Sequence, residues 1–333
     1  MRIRITDSPI AAKAARQKGT AMSLSLSTIN EALRSDPKGF IAECDAAYQA
    51  NIVSAARRIA DNRKNSGIVL LSGPSGSGKT TTSMKICDEL EKLGIRSRAI
   101  AMDDYFETVD PETSPRGPDG QLDFESPFCL DVELLNRHMG MLERGETIFI
   151  PRYEFSRQMR SDVHSRPLRL QKDEIAVFEG IHALNDIFVG RNKDAVRLYI
   201  SARSNVTDDA GETVFKGTWT RLSRRLMRDG KQRGHDAAFT LKLWPGVRRG
   251  EKLYISPFKE NATILFNSSL GYELSVYGGA VPQLLQAVPL SCERHDEVCA
   301  MREAFRRFEP LDAALVPADS LIREFIGGGI YQY

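Results

Sequence analysis

The stretch VLLSGPSGSGKTTTSMKI, Val69 to Ile86, is the strongest indication of the fold in this chain. An apolar run ends in a glycine-rich turn, and Lys79 and Thr80 follow where a helix begins. Residues 73–80 match the pattern G-x-x-x-x-G-K-[ST] in full. Glycines let backbone N–H groups converge on phosphate oxygens, and the positive end of the helix dipole adds to that attraction. The stretch therefore predicts a loop that binds the phosphates of a nucleoside triphosphate.

Different residues of this loop are predicted to have different roles. We expect Lys79 to reach the β- and γ-phosphates and to act in catalysis, and the Thr80 hydroxyl to bind Mg²⁺. The predicted nucleotide-binding residues are Gly73, Ser75, Gly76, Ser77, Gly78, Lys79, Thr80 and Thr81.

Apolar runs of strand length alternate with helical patterns through the middle of the chain. The predicted strands lie at residues 67–72, 98–102, 174–180, 196–201 and 262–267. Such alternation predicts an α/β fold with a mostly parallel sheet and helices on both faces. Lys79 to Leu93 forms a predicted helix that Gly94 ends. Residues 110–127 are rich in Pro, Gly and Asp, which predicts a loop.

The ends of the chain lie outside this alternating pattern. We expect an N-terminal helical arm at residues 1–65, of which 1–25 look irregular, and a domain built around the phosphate loop at 66–290, with a lid at about 205–250. A helical tail at 291–333 is expected to pack on that domain. Apolar residues at steps of three and four between Ile41 and Ile59 predict one buried stripe on the arm. This stripe favours packing on the domain over binding a partner.

Composition narrows the class of protein. A formal net charge of +2 gives no reason to expect a nucleic-acid or membrane partner. The five cysteines are scattered without a C-x-x-C pair, which predicts free thiols in a reducing cytoplasm and argues against zinc. No apolar run approaches the length of a membrane span, and the basic start has no apolar signal-peptide core.

Acidic residues follow two of the predicted strands. Asp103 comes after the strand at 98–102, and Glu179 stands at the end of the strand at 174–180. Because ligand sites form at the carboxyl ends of parallel strands, we expect Asp103, Glu179 and Thr80 to converge on one Mg²⁺. A phosphoryl transferase also needs a carboxylate that accepts the proton of the attacking hydroxyl.

The segment TRLSRRLMRDGKQRGH (220–235) places arginines at helical spacing. Positive charges three and four residues apart repel one another unless an anion neutralises them. A solvated helix surface is the simplest interpretation of a charge run, but this run is almost all of one sign. We therefore expect a lid whose arginines meet the triphosphate and stabilise charge in the transition state.

Taken together, these motifs resemble the uridine kinase/phosphoribulokinase family, closest to its uridine-kinase-like nucleoside kinase branch. The resemblance runs from about Ile68 to Tyr333. Besides the phosphate loop it includes MDDYF, LDFESP, PRYEFSRQMR, VFEGIHALN, RLSRRLMRDGKQRG, LWPGVRRGE, LFNSSLGYEL and LIREFIGG, in this order. It implies transfer of phosphate from ATP or GTP, with Mg²⁺, to a primary hydroxyl such as the 5′-OH of uridine or cytidine. Relatives form dimers or tetramers, so a homo-oligomer is possible.

The resemblance also implies roles for individual residues. Asp103 matches the general base, Glu179 matches the acidic residue after its strand, and Arg224, Arg225 and Arg228 match catalytic lid arginines. The substrate-side residues predicted in this way, or from their place in the same motifs, are Tyr105, Phe124, Glu125, Tyr153, Phe155, Gln158, Arg221 and Arg233.

This chain departs from the usual family pattern on the acceptor and lid sides. Glu125 stands where uridine kinases usually carry Asp, Gln158 where they carry His, and His235 where they carry Arg. A sugar phosphate or a small acid alcohol therefore stays open as the acceptor. A nucleotide-binding regulatory protein is a further alternative, although RNKDAV (191–196) lacks the spacer of the guanine signature N-K-x-D. Trp244 could stack on a base or pack under the lid.

Overall fold

The computed structural model describes residues 23–163, 167–232 and 234–332. The strands are β1 Ser23–Ser25, β2 Ile68–Ser72, β3 Ser97–Ala101, β4 Ile148–Phe149, β5 Tyr153–Glu154, β6 Met159–Arg160, β7 Pro167–Leu168, β8 Ile175–Glu179, β9 Val196–Ser201, β10 Asn205–Thr207, β11 Thr213–Phe215 and β12 Ile264–Asn267. The helices are α1 Leu26–Ser35, α2 Pro37–Asn62, α3 Lys79–Lys92, α4 Val132–Glu143, α5 Asp186–Val189, α6 Gly217–Gln232, α7 Ala237–Gly250, α8 Glu273–Tyr277, α9 Val281–Gln286, α10 His295–Phe305 and α11 Arg323–Ile326. Short 3₁₀ turns include Met102–Tyr105.

The central sheet has five parallel strands in the order β12-β9-β2-β8-β3. These are the five strands that the sequence predicts, so the predicted α/β fold is confirmed. Strand β2 is buried along its whole length because both faces of the sheet are covered. In the register of the sheet, Glu179 of β8 lies between Leu71 of β2 and Ala101 of β3. This pairing brings the phosphate loop, Asp103 and Glu179 to the same edge.

Two apolar cores lie on the two faces of the sheet. One core joins helices α2, α3, α6 and α10 to side chains such as Val69 and Ile200. The other joins α4 and α5 to side chains such as Leu70 and Phe178. Helix α3 ends before Gly94, whose φ of +76° is the left-handed conformation that favours glycine at this position.

The N-terminal helices pack on the first of these cores. Tyr48 and Ile52 of α2 are buried in it, and the Tyr48 hydroxyl lies 2.8 Å from the Thr82 hydroxyl of α3. The helical pattern is interrupted at Asp36, whose carboxylate accepts from the N–H of Gly39 and caps α2. Residues 1–22 lie outside the described residues. Residues 23–25 are regular rather than irregular, because β1 pairs in parallel with β10.

The C-terminal segment is less helical than predicted. Helix α10 is its one long helix among the described residues, and turns and single helical turns follow it. These turns lie against the phosphate loop and α3. Gly78 approaches Leu321 so closely that a Cβ on the glycine would lie 2.6 Å from a methyl carbon. No helix in the described ranges is both long and apolar enough to cross a membrane.

Candidate active site

The phosphate loop connects β2 to α3 and has the conformation that its glycines allow. Gly76 and Gly78 have φ values of +74° and +77°, which side chains rarely tolerate. A Cβ at Gly76 would lie 2.8 Å from the carbonyl oxygen of Arg221, so the arginine helix α6 also demands glycine here. The loop therefore turns tightly into the N-terminus of a 14-residue helix, where the positive end of the helix dipole suits a polyphosphate.

Three of the predicted catalytic and metal-binding groups lie together at the sheet edge. Lys79 Nζ is 3.7 Å from Glu179 Oε1, and both side chains are mostly buried. Burial raises the pKa of Glu179 to about 7; Lys79 lowers it, whereas Asp103 and Glu324 raise it further. The same arrangement affects Asp104, next in the chain, whose pKa is raised by burial and by the charge of Asp103.

This oxygen-rich arrangement fits a magnesium ion. The hydroxyl of Thr80 and the carboxylates of Asp103 and Glu179 are hard oxygen ligands of the kind that Mg²⁺ prefers. Within the described part of the chain, no group of three His, Cys, Asp or Glu side chains could hold a metal by itself. That is compatible with Mg²⁺ in a kinase, because substrate phosphates and water complete its coordination.

The arginines of α6 lie against the phosphate loop. Arg225 donates to the Ser75 hydroxyl at 3.0 Å, and Arg221 donates to the Ser75 carbonyl at 3.3 Å. Trp244 is buried between them, with its ring 5.7 Å from the Arg221 guanidinium and 5.9 Å from that of Arg225. Trp244 therefore packs under the arginines rather than being open to stack on a base.

The repulsion expected within this arginine run does not require a bound anion, because the fold supplies carboxylates. Asp229 lies 3.1 Å from Arg228 and 3.5 Å from Arg225, and its side chain is fully buried. Arg221 pairs with Glu251 at 2.7 Å. The contacts to Ser75 therefore support a role of these arginines at the phosphate loop, whereas the positive charge of the helix alone does not.

Arg224 is placed differently from its predicted role. Its guanidinium is fully buried and pairs with both oxygens of Glu273, at 2.8 and 3.0 Å. Its remaining N–H groups donate to the Gly76 carbonyl and to the hydroxyl and carbonyl of Ser268. All five donors of the guanidinium are thereby used, so none is left for a phosphate oxygen. Arg224 instead holds the phosphate loop in place through its bond to the Gly76 carbonyl.

Thr81 is also placed differently from its predicted role in nucleotide binding. Its hydroxyl donates to Glu324 Oε2 at 2.5 Å, and its N–H lies 3.4 Å from the same oxygen. Glu324 belongs to α11, in the tail that the sequence did not connect with the site. A carboxylate of the tail therefore occupies donors at the N-terminus of α3. Lys231 of α6 in turn donates to the Ile326 carbonyl, which joins the tail to the arginine helix.

A cavity of about 250 Å³ opens beside the strand end that carries Asp103. Its wall includes Phe106 and two of the predicted substrate residues, Phe124 and Tyr153. Phe155 belongs to the same aromatic group, since its ring centroid lies 5.0 Å from that of Tyr153 and 5.9 Å from that of Phe106. Half-exposed aromatic rings around one cavity can stack on a flat ligand.

Acidic side chains also line this cavity. They are Glu107, Asp110 and Asp123, and no Lys or Arg is among the described residues of the lining. Asp123 is buried, pairs with Arg249 at 2.9 Å and accepts from the Tyr254 hydroxyl at 3.1 Å. It thereby ties the loop at 110–127 to the residues at and after the end of α7.

Glu125 follows the cavity residue Phe124 in the chain and also interacts with Arg225, which lies on the phosphate loop. Its side chain contacts Gly250, where a Cβ would lie 2.3 Å from that of Glu125. Burial raises the pKa of Glu125 to about 7; the charge of Arg225 opposes the shift, while Asp123 and Asp103 add to it.

The other predicted substrate residues lie elsewhere. The Tyr105 side chain is fully buried and its hydroxyl bonds to His138 Nδ1 at 2.9 Å, so the prediction that it contacts the acceptor is wrong. Arg221 lies against the phosphate loop and not in the cavity. Gln158 is exposed in the turn between β5 and β6, with φ +53°. Arg233 lies outside the described residues.

All five cysteines have free thiols, as predicted.

His182 is buried beside the phosphate site, and burial lowers the pKa of its imidazole to about 4. A neutral ring at this position adds no positive charge to the site.

The chain is similar in sequence to a known family of proteins. The model of the phosphoribulokinase/uridine kinase family matches residues 68–272. A uridine kinase from Macrococcus caseolyticus is 27% identical over 199 residues, which are 60% of this chain and 86% of the relative. A uridine kinase from Staphylococcus aureus (strain JH9) is 27% identical over 203 residues, 61% of this chain and 87% of the relative.

Among solved structures, D-glycerate 3-kinase from Cryptococcus neoformans covers 62% of this chain and 86% of its own, with a TM-score of 0.39 and 14% identity. Because the family model spans more than half of the 333 residues, the chain belongs to the phosphoribulokinase/uridine kinase family and is a phosphotransferase with an alcohol acceptor.

Proposed function

We propose that the protein transfers the γ-phosphoryl group of ATP, in the presence of Mg²⁺, to a primary hydroxyl of a neutral, nucleoside-like acceptor such as uridine or cytidine. The observation that carries the choice of acceptor is the cavity of Phe106, Phe124 and Tyr153, which combines aromatic rings with carboxylates and, within the described part of the chain, has no Lys or Arg in its lining. Ring stacking and hydrogen bonds from sugar hydroxyls to carboxylates suit a nucleoside.

An anionic acceptor is disfavoured by the same lining. Two like charges about 8 Å apart repel by roughly 2 kcal/mol at an effective dielectric constant of about 20. Three carboxylates therefore oppose a sugar phosphate or an acid alcohol, although Arg160 and Arg249 partly neutralise Glu107 and Asp123. We expect a preference of at least about 30-fold in kcat/KM for the neutral acceptor.

In the proposed mechanism, Asp103 accepts the proton of the acceptor hydroxyl. The hydroxyl oxygen forms a bond to the γ-phosphorus, and the bond from that phosphorus to the bridging oxygen breaks and releases ADP. Lys79, which lies near Glu179, and Arg225, which donates to the Ser75 hydroxyl, hold the phosphate oxygens. Thr80, Asp103 and Glu179 would hold Mg²⁺, which neutralises phosphate charge when bound.

The regulatory alternative has less support in the structure. Asn192 of the segment resembling a guanine signature is buried and donates to the Phe188 carbonyl, which is a structural role. Arg225 also already lies on the phosphate loop, whereas switch proteins often receive this arginine from a partner. We propose the cytoplasm as the site of action, consistent with the five free thiols.

The test is ADP release with ATP and Mg²⁺ over a panel of acceptors. The panel contains uridine, cytidine, purine nucleosides, ribulose 5-phosphate, glycerate and pantothenate. Turnover with a neutral nucleoside, at least about 30-fold above every anionic acceptor in kcat/KM, is the expected result. Preferred turnover with a phosphorylated or carboxylate acceptor would overturn the assignment of the acceptor but not the kinase chemistry.

A further inference from the structure

A second cavity, of about 670 Å³, lies beside the start of the phosphate loop and shares no lining residue with the aromatic cavity. Its wall is formed by the end of β9, the beginning of α6 and the turn before β12. Its volume is within the range of small-molecule sites, roughly 300–1,000 Å³. It shares only Arg221 with the predicted substrate residues and contains none of the carboxylates of the aromatic cavity.

The charge in this second cavity is unbalanced. Among the described residues, its lining has five cationic side chains and one carboxylate, namely Arg203, Lys216, Arg221, Arg248 and Lys259 against Glu251. Glu251 is shared, because it pairs with both Arg221 and Arg248. Within the described ranges, Arg203, Lys216 and Lys259 have no carboxylate oxygen within 4 Å, so at least three positive charges are left without an ion pair.

The cations of this cavity also affect one another. Burial lowers the pKa of Lys259, and the positive charge of Arg203 lowers it further. Burial likewise lowers the pKa of Arg203, whose guanidinium lies 5.2 Å from the Tyr199 ring centroid. Charged groups held together in this way are expected where an anion binds, since the anion removes their repulsion.

Hydroxyl donors and a helix N-terminus complete the lining. Ser201, Thr218 and Ser256 contribute side-chain hydroxyls, and α6 begins at Gly217 in the wall. Guanidinium, ammonium and hydroxyl donors around the start of a 16-residue helix match the tetrahedral oxygens of a phosphate group.

We propose that this second cavity is a binding site for a small, multiply charged phosphate compound, separate from the nucleotide on the phosphate loop. Pro74 and Arg221 line the cavity and also belong to, or contact, the phosphate loop. A bound anion would compete with the Ser75 carbonyl and with Glu251 for Arg221. The site is therefore placed to change how the protein binds ATP.

Calorimetric titration with inorganic tripolyphosphate tests this proposal, using the wild type and four variants. Lys79→Met removes the cation of the phosphate loop. Lys216→Gln/Lys259→Gln, in which Lys216 is exposed and Lys259 is half-buried, removes two cations of the second cavity; Arg203→Gln removes a third. Lys252→Gln is the matched control, since it removes an exposed charge that does not line the cavity.

We expect two binding sites in the wild type and in Lys252→Gln. One should be lost in Lys79→Met, and the other should weaken at least tenfold in Lys216→Gln/Lys259→Gln and in Arg203→Gln. A single site that is lost in Lys79→Met and unchanged in the cavity variants would overturn the proposal. A second site at which the cavity variants bind tripolyphosphate as tightly as Lys252→Gln does would also overturn it. Thermal melts of each variant show whether it is folded.

Discussion

Replacing each of two neighbouring arginines of α6 should have different effects: one replacement should mainly lower stability and the other mainly activity. Arg224 is fully buried and uses its donors on Glu273, Ser268 and the Gly76 carbonyl, whereas Arg225 meets Ser75 on the phosphate loop. Removing one partner of a buried ion pair costs about 3–5 kcal/mol, because the other charge is left uncompensated. Arg224→Met should therefore lower the free energy of unfolding by about 3–5 kcal/mol.

Arg225→Met should instead mainly lower activity. Loss of a group that stabilises transition-state charge reduces kcat by about 10²–10³-fold. Its partner Asp229 keeps Arg228 at 3.1 Å, so we expect a smaller loss of stability than in Arg224→Met. Denaturant unfolding and steady-state kinetics on both variants check the contrast.

The double variant Arg224→Met/Glu273→Met is the control for the ion-pair argument. It removes both charges, so it should recover most of the stability that Arg224→Met loses. An Arg224→Met protein that is as stable as the wild type but inactive would refute the structural assignment. It would show that Arg224 touches the phosphates, as the family resemblance implied.

Three further substitutions test the placement of single side chains. The raised pKa of Glu125, about 7, means that ionising it costs stability as pH rises from about 4.5 to 7. Because glutamine does not ionise, the free energy of unfolding of Glu125→Gln minus that of the wild type should be about 2 kcal/mol larger at pH 8 than at pH 5. Urea unfolding at the two pH values measures this difference, and equal values would contradict the prediction. Glu324→Gln removes a negative charge beside Thr81 and should tighten ATP binding about fivefold in equilibrium titrations, while weaker binding would show that the carboxylate supports the site. Tyr105→Phe should cost about 1 kcal/mol of stability through the lost bond to His138 and leave the acceptor KM unchanged, so a large rise in KM would return Tyr105 to the substrate site.

Much of the fold could be predicted because its signals are local. Apolar runs mark the five sheet strands, and the pattern at 73–80 marks the phosphate loop between β2 and α3. The approach of Asp103 to Glu179 also followed, since parallel strands end at one edge. The aromatic side chains Phe124 and Tyr153 of the cavity were identified through the resemblance.

The partners of the charged side chains could not be predicted, because they come from distant parts of the chain. Glu273 is 49 positions from Arg224, and Glu324 is 243 positions from Thr81. No periodicity or spacing in the sequence connects such distant residues. The sequence therefore could not distinguish an arginine in a buried ion pair from an arginine that acts in catalysis. Asp123 lies within the quoted segment LDFESP, but only its contacts with Arg249 and Tyr254 show that it orders the loop.

The proposed role of Asp103 as the proton acceptor in phosphoryl transfer is tested by comparing wild type with Asp103→Asn, in kcat with the best neutral acceptor and in the Kd of ATP. We expect kcat to fall at least about 10²-fold, the usual contribution of a general base, while the Kd of ATP changes little. A variant that releases ADP at nearly the wild-type rate would contradict it and remove Asp103 from the mechanism.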